Sequence, residues 1–118
     1  MVARTLLVAI LAATMVVSCT HTPDSTQLAQ LAAAAPTVLS HTASDGDISV
    51  GQWPPAIAAL RPERVYISPD GLYLVLSASF VEEHGLFIPR SAAFTGGTGT
   101  DPSYTSVGQG VFSYRVNG

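Results

Sequence analysis

The sequence predicts an α+β fold in which a short helix packs on a three- or four-stranded antiparallel sheet. Apolar and other side chains alternate along residues 72–80, which is the pattern of a strand. A proline-bounded run at residues 54–62 favours a short helix, and Ser-Pro-Asp-Gly at residues 68–71 favours a turn between two strands. Because the chain has 118 residues, we expect one small domain, at residues 53–118, after a signal peptide and a flexible tether.

The amino-terminal stretch is strongly apolar and carries one charged side chain, Arg4. Residues 6–17 contain no charge, proline or glycine. A helix of this length spans about 18 Å, which is too short for the ~30 Å hydrocarbon core of a bilayer. We therefore predict a signal peptide at residues 1–18. The alternative is a buried amino-terminal helix of a protein without a leader.

Residues 16–19 are Val-Val-Ser-Cys, and Cys19 is the only cysteine of the chain. This pattern resembles the lipobox of bacterial lipoproteins. The resemblance implies a diacylglyceryl thioether on Cys19 and cleavage between Ser18 and Cys19, so that lipid anchors the mature protein to a membrane. It also implies a periplasm-facing location, at the outer membrane in a Gram-negative bacterium, because Thr20 and not aspartate follows the cysteine. Lipidation would explain why the thiol has no disulfide partner.

Residues 19–52 are predicted to be the lipidated cysteine and a flexible tether, because small and polar residues dominate and prolines interrupt the segment. A coil of this length would reach about 30 Å. Residues 27–35 have good helix propensity, but an isolated helix this short is marginal in water. The alternative is that the apolar residues of the tether pack on the domain: Leu28, Leu31, Val38 and Leu39.

The domain at residues 53–118 begins with the short helix, on which Ile57 and Leu60 share one face near Trp53. A first strand at residues 65–67 and the turn then lead to the long strand. We predict that this strand is half buried, with apolar residues on its core face and a mixed set on the other. The core face carries Leu72, Leu74, Leu76, Ala78 and Phe80, and the opposite face carries Tyr73, Val75, Ser77, Ser79 and Val81.

The carboxyl-terminal third of the chain contains weaker signals. Residues 81–85 favour a second reversal, residues 86–88 a third strand, and residues 91–110 an irregular loop. A last strand is expected at residues 110–116. It places three apolar residues on one face: Phe112, Tyr114 and Val116.

Four stretches of the domain carry a second resemblance: "PPAIAALRPERVYI", "FVEEHGLFIP", "DPSY" and "GQGVFSYRVNG". They resemble a group of small uncharacterised bacterial proteins over residues 54–118. The resemblance implies a discrete domain. It brings no activity, cofactor or site residue with it.

Composition argues against several functional classes. The chain has no lysine, and residues 19–118 carry four arginines against eight carboxylates, a net charge of −4 with neutral histidine. Since basic side chains neutralise phosphates in nucleic-acid-binding proteins, we expect no nucleic-acid partner. "TGGTGT" lacks the lysine of a P-loop, residues 45–47 lack the remaining ligands of a calcium loop, and no G-x-S-x-G nucleophile motif occurs.

Glu82, Glu83 and His84 form the one carboxylate–imidazole cluster in the sequence of the domain. Adjacent strand residues point to opposite faces, so these side chains would not converge on a metal ion without a turn. A charged hairpin end, which keeps a sheet edge from aggregating, is the favoured interpretation. We therefore predict no metal, no cofactor and no catalysis.

These observations predict a lipid-anchored cell-envelope protein whose small domain is a non-catalytic binding module for another envelope protein. Its partner surface would lie on the sheet face bearing Tyr73 and Val75, or on the loop at residues 91–110, which contains Tyr104. The first alternative is a protective or immunity-type inhibitor that occupies another protein's site. The second alternative is a hydrolase that uses His84, the only histidine of the domain.

Overall fold

The computed structural model describes residues 23–41 and 45–117. Within these ranges the chain forms two α-helices, a short 3₁₀ turn at Val50–Gln52 and six strands. The predicted signal peptide and the predicted modification site, Ser18 and Cys19, lie outside the described residues. The helices and strands are α1 Ser25–His41, β1 Gly46–Asp47, α2 Pro55–Ala58, β2 Arg64–Ser68, β3 Gly71–Ala78, β4 Glu82–Pro89, β5 Ser103–Gly108 and β6 Val111–Asn117.

The strands form one antiparallel sheet in the order β1-β2-β3-β4-β6-β5. Tight turns join β2 to β3, β3 to β4 and β5 to β6, whereas residues 90–102 carry the chain from β4 past β6 to the sheet edge. The α+β class and the antiparallel sheet are therefore confirmed. The number of strands is not, because the described part of the chain has six and the sequence predicted three or four.

The additional strands lack the signals on which strand prediction depends. β1 has two residues, both exposed, and is defined by its pairing with β2. β5 lies inside the segment predicted to be an irregular loop, and only Tyr104 along its length is buried. The predicted reversal at residues 81–85 is wrong for residues 82–85, since only Val81 of that stretch lies in the turn. The chain turns earlier, where the Ser79 amide donates to the Glu82 carbonyl at 2.7 Å, and β4 already begins at Glu82.

Helix α1 occupies half of the segment predicted to be a flexible tether, and that prediction is wrong for Ser25–His41. The alternative, packing of this segment on the domain, is what the structure shows. Leu28, Leu31 and Val38 are buried and Leu39 is partly buried against the same cluster. The buried residues of α1 are spaced three, four and three residues apart, at Leu28, Leu31, Ala35 and Val38, which places them on one helical face. Burial of that face stabilises a helix that would be marginal alone.

The sequence before α1 fixes where the helix begins. The Asp24 carboxylate accepts a hydrogen bond from the Gln27 amide at 2.8 Å, and the Gln27 side-chain oxygen accepts one from the Asp24 amide at 3.1 Å. This reciprocal pair is a capping box, which satisfies two amides that the first helical turn leaves without partners. The folded part of the described chain therefore includes α1 and does not begin at residue 53.

One face of the sheet and the two helices enclose an aliphatic core. Ile57 and Leu60 of the α2 segment are buried there and Trp53 packs against it, as the sequence predicted. Leu74 is completely buried, which confirms the predicted core face at that position. The buried members of this aliphatic cluster are Leu28, Leu31, Ala35, Val38, Ile57, Leu60, Val65, Ile67, Leu72, Leu74, Leu86, Ile88 and Val111.

A β-bulge interrupts the predicted alternation of β3. Val75 pairs with Gly85 and Ser77 with His84, so Leu76 is an extra residue on β3. Beyond the bulge every side chain lies on the face opposite to the one that strict alternation assigns. Ala78 and Phe80 are accordingly exposed instead of joining the core. None of the helices in the described ranges is both long and apolar enough to cross a membrane.

Candidate functional site

The three residues predicted to form a partner surface are not available on the surface. Tyr73 is 6% exposed, Val75 2% and Tyr104 9%. The prediction assumed a half-buried β3, but the second face of the sheet is also covered, by aromatic rings. We correct it accordingly: all three side chains are buried, and Tyr73 and Tyr104 form part of a second core.

This second core is an aromatic cluster on the sheet face that the helices leave uncovered. Tyr73 and Tyr66 are cross-strand partners whose rings stack at 4.8 Å, and Tyr114 meets Tyr73 edge-on at 5.0 Å. Phe94, from the connection between β4 and β5, lies 5.0 Å from the completely buried Phe87. The cluster consists of Tyr66, Tyr73, Phe87, Phe94, Tyr104, Phe112, Tyr114 and Val116. Such ring geometries add stability beyond simple area burial.

The hydroxyl groups of this cluster are hydrogen-bonded to one another and to one carboxylate. The hydroxyls of Tyr73 and Tyr104 are 2.7 Å apart. The Glu83 carboxylate accepts from the hydroxyls of Tyr114 at 2.8 Å and Tyr66 at 3.1 Å. Partners for buried hydroxyls are what a stable aromatic core requires, so this network is structural.

Three phenols of the cluster have a raised pKa: Tyr66, Tyr73 and Tyr114. Burial raises the pKa of Tyr66 to about 12, and the negative charge of Glu83 adds to that shift. Burial together with the hydrogen bond to Glu83 raises the pKa of Tyr114. Burial together with the hydrogen bond to Tyr104 raises the pKa of Tyr73. A raised phenol pKa means that these groups stay protonated, so they supply hydrogen bonds and not proton abstraction.

Glu82, Glu83 and His84 do not converge. All three lie on β4, where Glu83 points into the aromatic cluster while His84 lies on the opposite face and pairs with Arg115 of β6. No group of three or more potential metal-ligating side chains occurs within residues 23–41 and 45–117. In the described structure these three residues therefore form the start of β4, and their side chains do not form one cluster.

An open groove of 640 Å³ lies between α1 and the ends of β4 and β6. Apolar side chains supply most of its lining, and Arg90 and Ser91 supply polar groups at one side. Its walls are Ala32, Ala35, Pro36, Leu39, Ser40, Ile88, Pro89, Arg90, Ser91, Ala92, Phe94, Gln109, Gly110 and Phe112. A concave, mainly apolar site of this volume lies within the usual range for small-molecule pockets.

Two of the α1 residues that line the groove are small. Ala32 and Ala35 carry only a methyl group, which leaves space beside Ile88 and Phe112. Pro36, a third lining residue of α1, has no backbone N–H, so it cannot donate to the carbonyl of Ala32 one turn earlier.

Arg90 is held at the mouth of the groove by a set of polar contacts. Its guanidinium donates to the carbonyls of Pro69 at 3.1 Å and Ser68 at 3.3 Å, and it lies 3.5 Å from the Asp45 carboxylate. These contacts fix the charge beside the apolar wall. A ligand with an apolar body and an anionic end would match this arrangement.

A second depression, of 220 Å³, lies at the opposite end of β4 and is polar. Arg115 is at its centre, with His84 on one neighbouring strand and Ser103 on the other. The hydroxyls of Thr105 and Ser113 complete the lining. This depression is one third of the volume of the groove and offers little apolar surface, so it is the weaker candidate for a ligand site.

Two apolar residues are exposed at the turn between β3 and β4. Phe80 is fully exposed, at 103% of its reference area, and Val81 is 58% exposed. Val107, in the turn region between β5 and β6, is 40% exposed. Phe80 and Val81 are adjacent, and together they form the apolar tip of the β3–β4 hairpin.

Sequence reasoning missed the groove because it treated α1 as part of a tether. The available signal was the buried spacing of Leu28, Leu31, Ala35 and Val38, with the alanine-rich run beside it. Placing α1 on the sheet would have identified the space above its alanines.

No protein-family model matches this chain. Comparison with curated proteins gives no match, and comparison with solved structures gives none. The function proposed below therefore depends on the residues and geometry of this chain alone.

Proposed function

We propose that this chain is a lipid-anchored protein of the bacterial cell envelope whose α+β domain is a non-catalytic binding module. The sequence supports the anchor: Arg4, the apolar run at residues 6–17 and Val-Val-Ser-Cys at residues 16–19 follow one another in the order that export and lipidation require. Helix α1, with its capping box at Asp24 and Gln27, follows this signal in the sequence, so Cys19 precedes the capped helix. A cysteine in that position would be free for modification.

The groove beside α1 is the proposed binding site, and it is the single observation that supports a binding module. Its ligand would be a molecule, or a partner's side chain, with an apolar body that contacts Ala32, Ala35 and Phe112. An anionic or hydrogen-bonding end would lie near Arg90. The lining contains no paired acid and base, which is why we propose binding without catalysis.

The anchor is tested by Cys19→Ser in the natural host or a related bacterium. We expect the variant to incorporate no labelled palmitate and to keep its leader, because lipid transfer to the thiol precedes cleavage in the proposed pathway. The unsubstituted chain, expressed in parallel, should be labelled and shortened. Palmitate on the Cys19→Ser variant, or none on the unsubstituted chain, would contradict the anchor.

The groove is tested with 1-anilinonaphthalene-8-sulfonate, a fluorescent probe with an apolar body and a sulfonate. We expect saturable binding by the full chain, and loss of most of that binding in Ala32→Phe, whose ring would fill the groove. Ala33→Phe is the matched control, because Ala33 is the next residue of α1 and is exposed. Equal binding by both variants, with unchanged melting curves, would show that the groove is not the site.

A further inference from the structure

We propose that the polar depression on β4, β5 and β6 is a second ligand site, which binds a phosphate monoester with a hydroxylated body. This site is separate from the groove beside α1, because the two linings share no residue. It adds a polar, anionic class of ligand to the proposed function, and it does not depend on the lipid anchor.

The strand register places the polar side chains of the depression in two rows. In the first row, His84 of β4 lies opposite Arg115 of β6, which lies opposite Ser103 of β5. In the second row, Ser113 of β6 lies opposite Thr105 of β5. Directly opposed residues of antiparallel strands point to the same face, and so do residues two apart on one strand. The five side chains therefore share one face of the sheet.

This face is the one that carries the helices, but the helices leave the two rows accessible. Leu86, two residues after His84 on β4, is buried in the aliphatic cluster that includes residues of α1. In the first row, by contrast, Arg115 is exposed and His84 is only partly buried. A ligand can therefore reach this part of the sheet from solvent.

Arg115 has no ionic partner in the described structure. Two other arginines of the domain are paired with aspartates, Arg64 at 2.8 Å and Arg90 at 3.5 Å. No carboxylate within residues 23–41 and 45–117 forms such a pair with Arg115. A guanidinium presents a planar set of N–H donors that matches two oxygens of a phosphate. Arg115 is therefore available to bind a phosphate group.

The first row supplies further donors on both sides of Arg115. Neighbouring strands lie about 4.8 Å apart, so a phosphate over Arg115 is within reach of His84 on one side and Ser103 on the other. Neither of these two side chains has a hydrogen-bond partner among the described residues. A carboxylate has two oxygens to satisfy, whereas a phosphate monoester has three. The number of donors in the row therefore favours a phosphate.

The second row indicates which body the phosphate would carry. The Thr105 hydroxyl has no partner in the described part of the chain, and the Ser113 hydroxyl donates to the Thr105 carbonyl at 3.4 Å. The depression measures 220 Å³ and its lining is mainly polar. A small body that carries hydroxyl groups therefore matches this row better than an acyl chain does.

Two carboxylates limit the ligand on the other side of the first row. Asn117 follows Arg115 on the same face of β6, and its register partner on β4 is Glu82. The Asn117 amide donates to the Asp101 carboxylate at 2.9 Å. Negative charge at this end would repel a further anionic group. We therefore expect the phosphate over Arg115, the body over the second row, and no preference for polyanions.

The test is isothermal titration of the full chain in detergent with glycerol 3-phosphate, which has a phosphate monoester and free hydroxyls. Arg115→Gln removes the proposed phosphate ligand. Arg61→Gln is the matched control, because it removes the same charge from an exposed arginine that does not line the depression. Glycerol is the control without phosphate, and dihexanoyl phosphatidic acid tests whether the phosphate belongs to a lipid headgroup.

We expect saturable binding of glycerol 3-phosphate and none of glycerol. Arg115→Gln should weaken the binding by about tenfold or more, the loss expected for a charge-assisted hydrogen bond, and Arg61→Gln should leave it unchanged. Thr105→Val, which keeps the shape of the side chain, should weaken it by a smaller factor. Since all three side chains are exposed, the variants should melt as the unsubstituted chain does.

Equal binding by Arg115→Gln and Arg61→Gln, or no binding of either phosphate probe by the unsubstituted chain, would overturn the site. Binding of dihexanoyl phosphatidic acid alone, lost in Arg115→Gln, would overturn the hydroxylated body and assign the phosphate to a lipid headgroup.

Discussion

The two faces of the sheet are buried by different means. On one face, α1 and α2 cover an aliphatic cluster that contains no hydrogen-bonded side chain among its buried members. On the other face no helix is present in the described chain. Tyrosine and phenylalanine rings cover the strands there, and one of them, Phe94, comes from the connection between β4 and β5. The aromatic face needs hydroxyl partners and Glu83, whereas the aliphatic face needs none.

The difference shows how a small sheet can be buried on both faces with few residues. Large rings cover a strand face without a second layer of secondary structure, because each ring buries more area than an aliphatic side chain. Gly96 fits the same arrangement, since a Cβ at that position would collide with the rings of Phe94 and Tyr104. The connection between β4 and β5 can therefore lie directly on the cluster.

The substitution with the largest expected effect removes a ring from the centre of the aromatic face. Phe87 is completely buried and contacts the rings of Tyr73, Phe94 and Tyr104. We expect Phe87→Ala to lower the free energy of unfolding by about 3–5 kcal/mol, through lost burial and the cavity left behind. Chemical denaturation measures it. A loss below that of an exposed substitution such as Thr105→Ala would show that the aromatic face is not a core.

The next effect tests the aliphatic face where the helix covers it. Leu31 of α1 is completely buried, so Leu31→Ala should lower the free energy of unfolding by about 2–5 kcal/mol. Gln30→Ala is the control, because Gln30 is the exposed neighbour on the same helix. If the two variants had equal stability, α1 would be a tether and not part of the domain.

The dependence of stability on alkaline pH distinguishes the two faces, because only the aromatic face carries phenols. The pKa of Tyr66 is raised to about 12 in the folded state, against about 10 in an unfolded chain. A raised pKa means that the protonated phenol stabilises the fold: the contribution is complete below pH 10 and is lost as the pH rises through 12. With no lysine in the chain, few other groups titrate in this range.

We therefore expect the melting temperature to fall steeply above about pH 10, together with a rise in phenolate absorbance in the near ultraviolet. Tyr66→Phe should make the fall shallower. A Tyr66 phenolate that forms near the ordinary tyrosine pKa in fully folded protein, identified as the absorbance missing from Tyr66→Phe, would contradict the burial of this hydroxyl.

The substitution with the smallest expected effect removes one hydrogen bond of the aromatic face. Tyr73→Phe keeps the ring but removes a hydroxyl that lies 2.7 Å from that of Tyr104. We expect a loss of about 1 kcal/mol, since a buried hydroxyl is left without its partner. The double variant with Tyr104→Phe should recover part of that loss. Additive losses in a double-mutant cycle would show that the two hydroxyls do not interact.

The elements that the sequence predicted are those with strong local signals. The helix at Pro55–Ala58, the turn at residues 68–71 and the core position of Leu74 depend on prolines, a turn tetrapeptide and alternating leucines. These signals act within a few residues, so they can be recognised without the tertiary structure.

The elements that the sequence did not predict depend on tertiary packing. The bulge at Leu76 is a property of two paired strands, and β5 exists because β6 offers it an edge. Tyr73 is buried in a cluster with side chains from β5, β6 and the β4–β5 connection, which are distant in sequence. The groove is likewise a space between elements that are distant in the chain, and no motif marks it.

The most direct test of the central claim is the intact mass of the protein purified from its own membrane. The proposed anchor predicts residues 19–118 plus a diacylglyceryl group, with or without a further acyl chain on the new amino terminus. A mass equal to residues 1–118, or a chain beginning at residue 19 with an unmodified thiol, would contradict the proposal.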